Sequence, residues 1–572
     1  LAGIQHIEYH EGNEQAAFRS MCAALSRLGV ANEGGGEIGE RLTPVTTKHQ
    51  GHLARPSARS RNVMWFSAIF GLAVIGLLLA MVLRPNDTPE KALNQSQGNK
   101  LNSSEDFIAL KENKTSLAVI PFRNIGPESE ENFLAEGMHE EIDAMLSMTP
   151  SLLVKNASRM KDTKLDPKAI GEALGVDSVL TGTVRQSEGQ LRVTVKLVDI
   201  RTETNIWAKT FDKMERDVFS MQREIAQSVA EGLKLELGQA QKQQQANRQT
   251  KSVEAYNLYL QGRKMWQTRT REGMRGSIEK FELALAKDPT FALAHVGIAD
   301  AYNQLVGYSY AAPKVASPKS EQQLIRALEI NSDLSEAYAS YGDVKLFFRW
   351  DWAGSEEAFK KAISINPNYP EARRWYSHFL LVSGRYQEAH EQIDIGIKLK
   401  SASPIMYFGK AVIFLREKKF ELAKELSMKM ISVDPNYVMG LHTLALSEFG
   451  LGNLEESLKL ANQGLSKFPN YSQYMVAKMM ALNRLGRLAE AKLIRDALFK
   501  RQETDLVPSM TLARAEYYVG NMDEAVIKLE QAYEDRNIQL FPFDPRQLFD
   551  KLNGNQRFDA IWEKVGLSEF VE

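Results

Sequence analysis

The pattern of hydrophobic and small residues repeats every 34 positions across residues 355–525. The turn positions of successive periods form one column, and a hydrophobic residue stands two positions after each of them. A register kept over several periods indicates an array of structural repeats. The turn column reads Gly384, Lys418, Gly452, Gly486 and Gly520.

Two further columns of the same period hold small residues in nearly every repeat. Small side chains at these positions let two helices approach closely, whereas large ones would push them apart. One column reads Ser355, Ala389, Ala423, Ser457, Ala491 and Ala525, and the other, twelve residues before it, reads Ser377, Ala411, Ala445, Met479 and Ala513.

Each period is therefore predicted to form two amphipathic helices joined by a short turn. Glycine in the turn supplies the left-handed backbone that ends the first helix. Because one helix pair cannot bury its apolar face alone, the pairs are expected to stack. Prolines, which stop helices, fall between successive pairs at Pro289, Pro367, Pro435 and Pro469.

The repeats resemble the tetratricopeptide repeat family. The matching lines are EARRWYSHFLLVSGRYQEA at 371–389 and GNLEESLKLANQGLSKFP at 452–469. The resemblance implies an all-α superhelix, which we place at residues 252–537 and expect to be irregular at first, with an insertion around 308–318. Residues 538–572 are predicted to form a C-terminal cap, because a solenoid must cover its last apolar face.

Residues 64–83 (MWFSAIFGLAVIGLLLAMVL) form a second landmark, a run without a single charge. At about 1.5 Å per residue such a helix spans the hydrocarbon core of a bilayer, so one transmembrane helix is predicted here. The small-residue pairs Ser67/Gly71 and Gly76/Ala80 could pack two such helices together as a homodimer. Basic residues before the span favour a cytoplasmic N-terminus: Arg55, Arg59 and Arg61.

The segments around this span are polar. Residues 1–62 are predicted to be a poorly ordered cytoplasmic segment, and residues 84–115 a linker. The first residue is Leu1 rather than methionine, so we expect either a fragment or an unusual start. A single cysteine, Cys22, excludes an internal disulfide framework.

Residues 116–237 predict a compact mixed α/β domain. Strands are expected at 117–122, 152–154, 178–186, 191–200 and 205–211, with a hairpin turn at 187–190. Helices are expected at 132–148, at 167–174 with Gly175 closing it, and at 217–237 with Asp217 as its N-cap.

This domain resembles the TolB-like amino-terminal domain of bacterial membrane regulators and cyclases, where it precedes tetratricopeptide repeats. The resemblance implies a non-enzymatic domain that receives or relays a signal. With the apolar run and its flanking charges, we expect a single-pass protein of the bacterial inner membrane whose C-terminal domains are periplasmic. The fold class is thus an α/β TolB-like domain plus an all-α repeat superhelix, with one N-terminal transmembrane helix. The matching lines are AVIPF at 118–122, FLAEGMHEEI at 133–142, IGEALGVDSVLTGTV at 170–184, LRVTVKLVD at 191–199, IWAKTF at 206–211 and VFSMQREIAQSVAEGL at 218–233.

The sequence offers no candidate for catalysis, a cofactor or a metal ion. It contains no GxxxxGK[ST] phosphate loop and no GxSxG nucleophile motif. With 71 Lys and Arg against 72 Asp and Glu, the overall charge favours no nucleic-acid partner. We therefore expect neither an enzyme nor nucleic-acid contacts within this chain.

A superhelix offers instead a concave groove, lined by the first helix of each pair. Arginine beside an aromatic ring suits an extended peptide that carries a carboxylate. The alternative is a solvated face with no partner. The residues predicted to face the groove are Arg374, His378, Phe408, Arg416, His442, Phe449, Asn483 and Arg484.

The sequence therefore predicts a membrane-anchored scaffold or sensor that binds peptide or protein partners in the repeat groove. The alternative is a membrane-bound transcriptional regulator, or a cyclase-type signalling protein, whose DNA-binding or catalytic domain lies upstream of Leu1.

Overall fold

The structure is a computed structural model that describes residues 115–125, 133–149, 151–156, 166–235, 250–400, 403–541 and 545–566. All of these belong to one compact unit, 102–572. The predicted cytoplasmic segment 1–62, the apolar run 64–83 and all but the last residue of the linker 84–115 lie outside the described residues. Among the helices that are described, none has the length and apolar character needed to span a bilayer.

The N-terminal part is a mixed sheet covered by helices. Its strand order is β3-β1-β4-β5-β6; β1 pairs in parallel with β3 and β4, and β5 pairs antiparallel with β4 and β6. The short strand β2 also pairs with β4. The strands are β1 (Thr115–Val119), β2 (Arg123–Asn124), β3 (Leu152–Asn156), β4 (Ser178–Ser187), β5 (Gln190–Asp199) and β6 (Thr204–Met214), and the helices are α1 (Phe133–Ser147), α2 (Pro167–Leu174) and α3 (Val218–Gly232).

Local sequence signals set most of these elements. The hairpin between β4 and β5 turns at Glu188 and Gly189, both with positive φ, and Gly175 ends α2 with φ 59°. Asp217 is the N-cap residue of α3, as predicted, but its side chain accepts no hydrogen bond from the helix. The helix also ends at Gly232, before the predicted 237.

The rest of the unit is a tetratricopeptide-like array. Sixteen helices form eight successive pairs. They are α4 (Val253–Gln267), α5 (Arg271–Lys287), α6 (Ala292–Gly307), α7 (Pro313–Ile330), α8 (Ser335–Val344), α9 (Trp352–Ile365), α10 (Pro370–Val382), α11 (Tyr386–Leu399), α12 (Pro404–Arg416), α13 (Phe420–Val433), α14 (Val438–Gly450), α15 (Leu454–Lys467), α16 (Gln473–Arg484), α17 (Leu488–Gln502), α18 (Ser509–Val519) and α19 (Met522–Glu534).

The small-residue columns lie where the two helices of a pair meet, as predicted. Every residue of both columns is buried. The serines show the contact directly, because Ser355 Oγ donates to the Gly342 carbonyl at 2.9 Å and Ser457 Oγ to the Ala445 carbonyl at 2.8 Å. A large side chain at these positions would force the paired helices apart.

The turn column is also confirmed, because all five predicted positions have positive φ. The column continues by one period at each end, to Trp350 with φ 57° and Gly554 with φ 86°. The predicted insertion at 308–318 is shorter than expected, since α7 already begins at Pro313 and contains Pro318 in its second turn.

The sheet domain and the array share a buried boundary. Tyr256 of α4 donates from its hydroxyl to the Gly137 carbonyl at 3.2 Å and accepts from Gln222 at 2.8 Å. Asn368 donates from its amide to the carbonyls of Ser147 and Leu152, at 3.0 and 2.8 Å. Because buried polar groups are satisfied across this boundary, the two parts are held in a defined relation.

The C-terminal segment, residues 537–566, does more than cover the last pair. It comprises the short turns Ile538–Leu540 and Asp550–Leu552 and the helices α20 (Pro545–Leu548) and α21 (Gln556–Val565). Trp352, in the third helix pair, donates from its indole nitrogen to the Val565 carbonyl at 3.2 Å. The segment therefore joins the end of the array to its third pair.

Candidate binding site on the inner face of the array

The array curls so far that its first two pairs touch the loop before the last pair and the C-terminal segment. The guanidinium of Arg271 lies 2.9 Å from the Asp505 carboxylate, 234 residues away, and Gln539 donates to the Ser309 hydroxyl at 3.3 Å. We call the side that faces the inside of this curl, toward which residues of several pairs converge, the inner face. A ligand held there is surrounded by several helix pairs at once.

Arg374 on α10 is buried on the inner face. Its guanidinium lies over the Trp375 ring, 3.7 Å from the centroid, and its Nε atom has no hydrogen-bond partner. Burial lowers the pKa of Arg374, and the carboxylates of Glu371 and Asp343 oppose that shift. Arg374 is thus a buried cation with an unused donor.

The two predicted histidines are neutral on the inner face. Burial, with Arg374 nearby, lowers the pKa of His378 to about 3, and burial with Arg514 nearby does the same for His442. The Nε2 atom of each ring lacks a hydrogen-bond partner. Neutral imidazoles of this kind can donate or accept one hydrogen bond without adding charge.

Arg416 and Phe408 serve packing within the protein itself. Arg416 donates to the Phe541 carbonyl of the C-terminal segment at 2.9 Å. Phe408 is half-buried against the apolar core. The C-terminal segment therefore takes up one Arg416 donor, whereas the Nε atom of Arg416 has no hydrogen-bond partner.

Phe449, Asn483 and Arg484 are the more accessible of the predicted residues. Arg484 is exposed, and its guanidinium lies 5.8 Å from the centroid of the half-buried Phe449 ring. Asn483 donates to the Tyr518 carbonyl at 2.7 Å. The eight predicted residues thus form separate groups, and their role in peptide binding stays a prediction.

Three residues that the sequence analysis missed converge with Arg374. They are Arg269, in the turn after α4, Tyr308, directly after α6, and Tyr437, directly before α14. Electrostatic interactions connect Arg269 and Arg374 with each other and with both tyrosines. Four segments far apart in sequence therefore lie within electrostatic range of one another.

The sequence does carry a signal for Tyr437. A Pro-Asn-Tyr tripeptide precedes the first helix of three pairs, at 367–369, 435–437 and 469–471. The spacings between these tripeptides are whole multiples of the 34-residue period. Their tyrosines, Tyr369, Tyr437 and Tyr471, all belong to the inner-face electrostatic network. No comparable period marks Arg269 or Tyr308.

Two buried carboxyl groups lie near these cations. Burial raises the pKa of Asp343 to about 7 and that of Asp300 to about 6, although nearby arginines oppose the shift. Asp300 accepts a short hydrogen bond from the Ser340 hydroxyl, whereas Asp343 Oδ1 has no partner. Near neutral pH the carboxyl of Asp343 is therefore only partly charged.

The described ranges contain no group of three His, Cys, Asp or Glu side chains that could hold a metal ion. What the inner face presents is hydrogen-bond donors on arginine, tyrosine and histidine. Such a surface recognises oxygen acceptors and negative charge.

Comparison with known proteins matches the two parts separately. Residues 113–228 match the family model of the HilA/YgeH-like transcriptional regulator, second domain. Putative adenylate cyclase 3 of Rhizobium meliloti (strain 1021) is 28% identical over 239 residues, 40% of this chain and 39% of that protein. Tetratricopeptide repeat protein 6 of Homo sapiens is 27% identical over 150 residues, 26% of this chain and 28% of that protein. The chain thus spans well under half the length of these curated relatives.

Solved structures of repeat proteins are distant neighbours. Yeast Tom70 has a TM-score of 0.36 and 14% identity, covering 62% of this chain and 82% of that one. PilW, a type IV pilus biogenesis factor, has a TM-score of 0.30 and 19% identity, covering 38% of this chain and 96% of that one. The stacked helix pairs themselves identify the array as tetratricopeptide-like, and the likeness of the sheet domain to the TolB-like family stays a prediction.

Proposed function

We propose that this chain is the partner-binding part of a membrane-anchored signalling protein and performs no catalysis itself. The array binds a peptide or protein on its inner face, and the apolar run 64–83 anchors the chain. The sheet domain lies between the two in sequence and shares a buried boundary with the array. A change in the array on binding therefore has a direct route to the sheet domain.

One observation carries the proposal: the inner face gathers arginine and tyrosine donors from several helix pairs without pairing them with carboxylates. Arg374 has an unpartnered Nε atom, and Tyr437 has an unpartnered buried hydroxyl. Leaving such donors unsatisfied costs stability, so a protein keeps them where a ligand supplies the acceptors.

Site-specific photo-cross-linking tests the proposal in cells. A photoreactive residue replaces Phe449 on the inner side of α14, and a matched control replaces Leu493, which is 70% exposed on α17. We expect discrete cross-linked partners from position 449 and none from position 493. Equal yields at the two positions, or none at 449, would contradict binding at the inner face.

A second candidate function is that of a regulator with a further module attached. The HilA/YgeH-like match over 113–228 supports a transcriptional regulator, and the putative adenylate cyclase relative supports a cyclase. In either case the residues described above would sense the partner and the additional module would respond. The coding sequence upstream of Leu1 separates the two, since one requires a DNA-binding domain and the other a catalytic domain.

The membrane placement is part of the proposal, with the N-terminus cytoplasmic, the array periplasmic and the helices at 64–83 able to pair as a homodimer. A reporter fused after Glu572 that requires export should be active, and deletion of 64–83 should release the protein from the membrane fraction. Activity of a reporter that functions only in the cytoplasm would overturn the exported placement.

A further inference from the structure

The sheet domain and the array contain two large apolar cores. Buried residues of the sheet and of helices α4–α8 share one core, which extends to Val344. The other core begins at Leu346 and continues through the later helix pairs into the C-terminal segment. We call residues 115–344 the first body and residues 346–566 the second body. Because each body has a core of its own, each can keep its internal packing while the two move relative to each other.

The change from one core to the other falls on an irregular stretch of backbone. Directly after α8, Lys345–Arg349 form a π-helical turn, and such turns kink a helix. The two bodies stay joined here by the contacts of the third pair, including a small cluster of Ala339, Ala362 and Ala372. Asn368, which contacts the sheet, follows this pair directly. The third pair is therefore the natural pivot between the bodies.

Away from this pivot, the two bodies meet through polar contacts. Arg271 of the first body lies 2.9 Å from the Asp505 carboxylate of the second, and these side chains are 31% and 25% exposed. Gln539 of the second body donates to the Ser309 hydroxyl of the first at 3.3 Å. In the described residues, no cluster of buried apolar side chains spans this junction. We call these four residues the latch.

The second body holds its own two latch residues in place. Asp505 also accepts hydrogen bonds from the Arg501 guanidinium at 3.3 Å and from the Leu506 backbone amide at 2.9 Å. The Gln539 side chain accepts from the Gln473 amide at 3.1 Å. Neither residue loses all of its hydrogen bonds when the latch opens, so opening avoids the penalty of an unpaired buried charge.

The first body likewise keeps a partner for its latch cation. The Arg271 guanidinium lies 5.1 Å from the centroid of the Tyr310 ring, which stays beside it when Asp505 moves away. Ser309 lies partly exposed in a turn, where water can replace Gln539. A partly exposed ion pair and one hydrogen bond stabilise the closed form only weakly.

We propose that the array opens and closes as a clamp, in which the first body turns about the third helix pair and the latch holds the closed form. Opening separates the first two pairs from the far end of the array and widens the entrance to the inside of the curl. Because the sheet shares the core of the first body, it moves with these pairs. This inference goes beyond the proposed function, since the motion belongs to the chain without its partner.

Distances between paired spin labels test the clamp in the full chain, held in a non-ionic detergent. Cys22, the single cysteine, is first replaced by serine. Labels on Arg275→Cys and Glu503→Cys, both at exposed positions, span the latch. Labels on Glu503→Cys and Glu524→Cys lie within the second body and serve as the control pair.

Arg271→Glu should open the clamp, because it replaces the attraction to Asp505 by repulsion. We expect the 275–503 distance to lengthen by about 10 Å, one helix diameter, and the 503–524 distance to stay unchanged. Arg271→Lys keeps the positive charge and should keep the closed distance. Arg326→Glu is the matched control, since it makes the same change of charge and breaks the ion pair with Glu329 inside the first body.

An unchanged 275–503 distance in Arg271→Glu would overturn the clamp, and so would an equal lengthening in Arg326→Glu. Lengthening of the 503–524 distance in Arg271→Glu would show that the second body itself loosens, which also contradicts motion about a pivot. The outcome is separable from that of the proposed function, because no partner is present. Cross-linking from position 449 can succeed with a rigid array and fail with a mobile one.

Discussion

The first three helix pairs and the last five are built from the same unit but differ in regularity. From α10 onward, the turns within the pairs fall at a fixed 34-residue interval, on glycine in every case except Lys418. In the first three pairs the corresponding positive-φ residues are Arg269, Ser309 and Trp350; Trp350 keeps the 34-residue interval to Gly384, whereas Arg269 and Ser309 lie 40 and 41 residues before the next of them. Each of these three residues adopts a left-handed backbone, which costs a residue with a side chain more free energy than it costs glycine.

The non-glycine turn positions of the first three pairs contact distant parts of the chain. Arg269 contributes to the inner-face cluster, Ser309 accepts from Gln539, and Trp350 packs against Phe541. The regular pairs contact their neighbours, as a repeat requires, and make long-range contacts at single positions such as Arg416, which donates to the Phe541 carbonyl. The comparison teaches that the glycine and small-residue columns build the superhelix, whereas side chains that do not recur from repeat to repeat make its long-range contacts.

The largest expected effect comes from the contact that joins the irregular pairs to the C-terminal segment. Phe541 is 2% exposed, and its ring lies 5.8 Å from Trp350 and 5.5 Å from Trp352, edge to face. Phe541→Ala should lower the free energy of unfolding by about 3–5 kcal/mol, because it leaves a cavity beside the two tryptophan rings. Urea unfolding measures the loss.

The control for this change is Leu493→Ala in the regular pairs, where the side chain is 70% exposed. It should alter the free energy of unfolding by no more than about 0.5 kcal/mol. If Phe541→Ala were as mild as Leu493→Ala, the closure of the curl would not depend on the C-terminal segment.

A smaller effect, and one that depends on pH, concerns Asp343 in the irregular pairs. Its folded-state pKa of about 7 lies above the ordinary carboxyl value, so the folded protein binds the proton more tightly than the unfolded chain. Stability from this group is therefore complete below pH 4 and is lost as pH rises toward 7. Asp343→Asn should remove this pH dependence. The free energy of unfolding of the variant should therefore rise relative to that of the wild type by up to a few kcal/mol between pH 4 and 7.

The same experiment on Asp496→Asn supplies the control, since Asp496 is exposed on α17. Urea midpoints at pH 4, 5.5, 7 and 8 should show a growing difference from wild type for Asp343→Asn only. A difference for Asp343→Asn that did not change with pH would mean that the carboxyl group is ionised throughout.

The array could be predicted from sequence because its determinants are local and repeated. The column containing Gly384 predicts a left-handed turn, those containing Ala389 and Ser377 predict close helix contacts, and the structure shows all three features in the regular pairs. The inner-face cluster could not be predicted, since Arg269 and Tyr437 meet only through the curvature of the whole array. Arg416 shows the same limit, because its partner, the Phe541 carbonyl, lies 125 residues away.

The smallest effect tests the regular turns themselves. Lys418 occupies the turn column with φ 60°, and no hydrogen bond or ion pair of its side chain is found among the described residues. Lys418→Gly should raise the free energy of unfolding by about 0.5–1 kcal/mol, because relief of the left-handed strain exceeds the extra entropy that glycine gives the unfolded chain.

The reverse change, Gly452→Lys, should lower the free energy of unfolding by a similar amount, since a Cβ at Gly452 would meet nothing within 4 Å and only the backbone strain remains. Urea unfolding measures both variants. Opposite changes of similar size in the free energy of unfolding would show that the turn column selects glycine for its backbone alone. A lower free energy of unfolding in both variants would mean that the Lys418 side chain makes a stabilising contact.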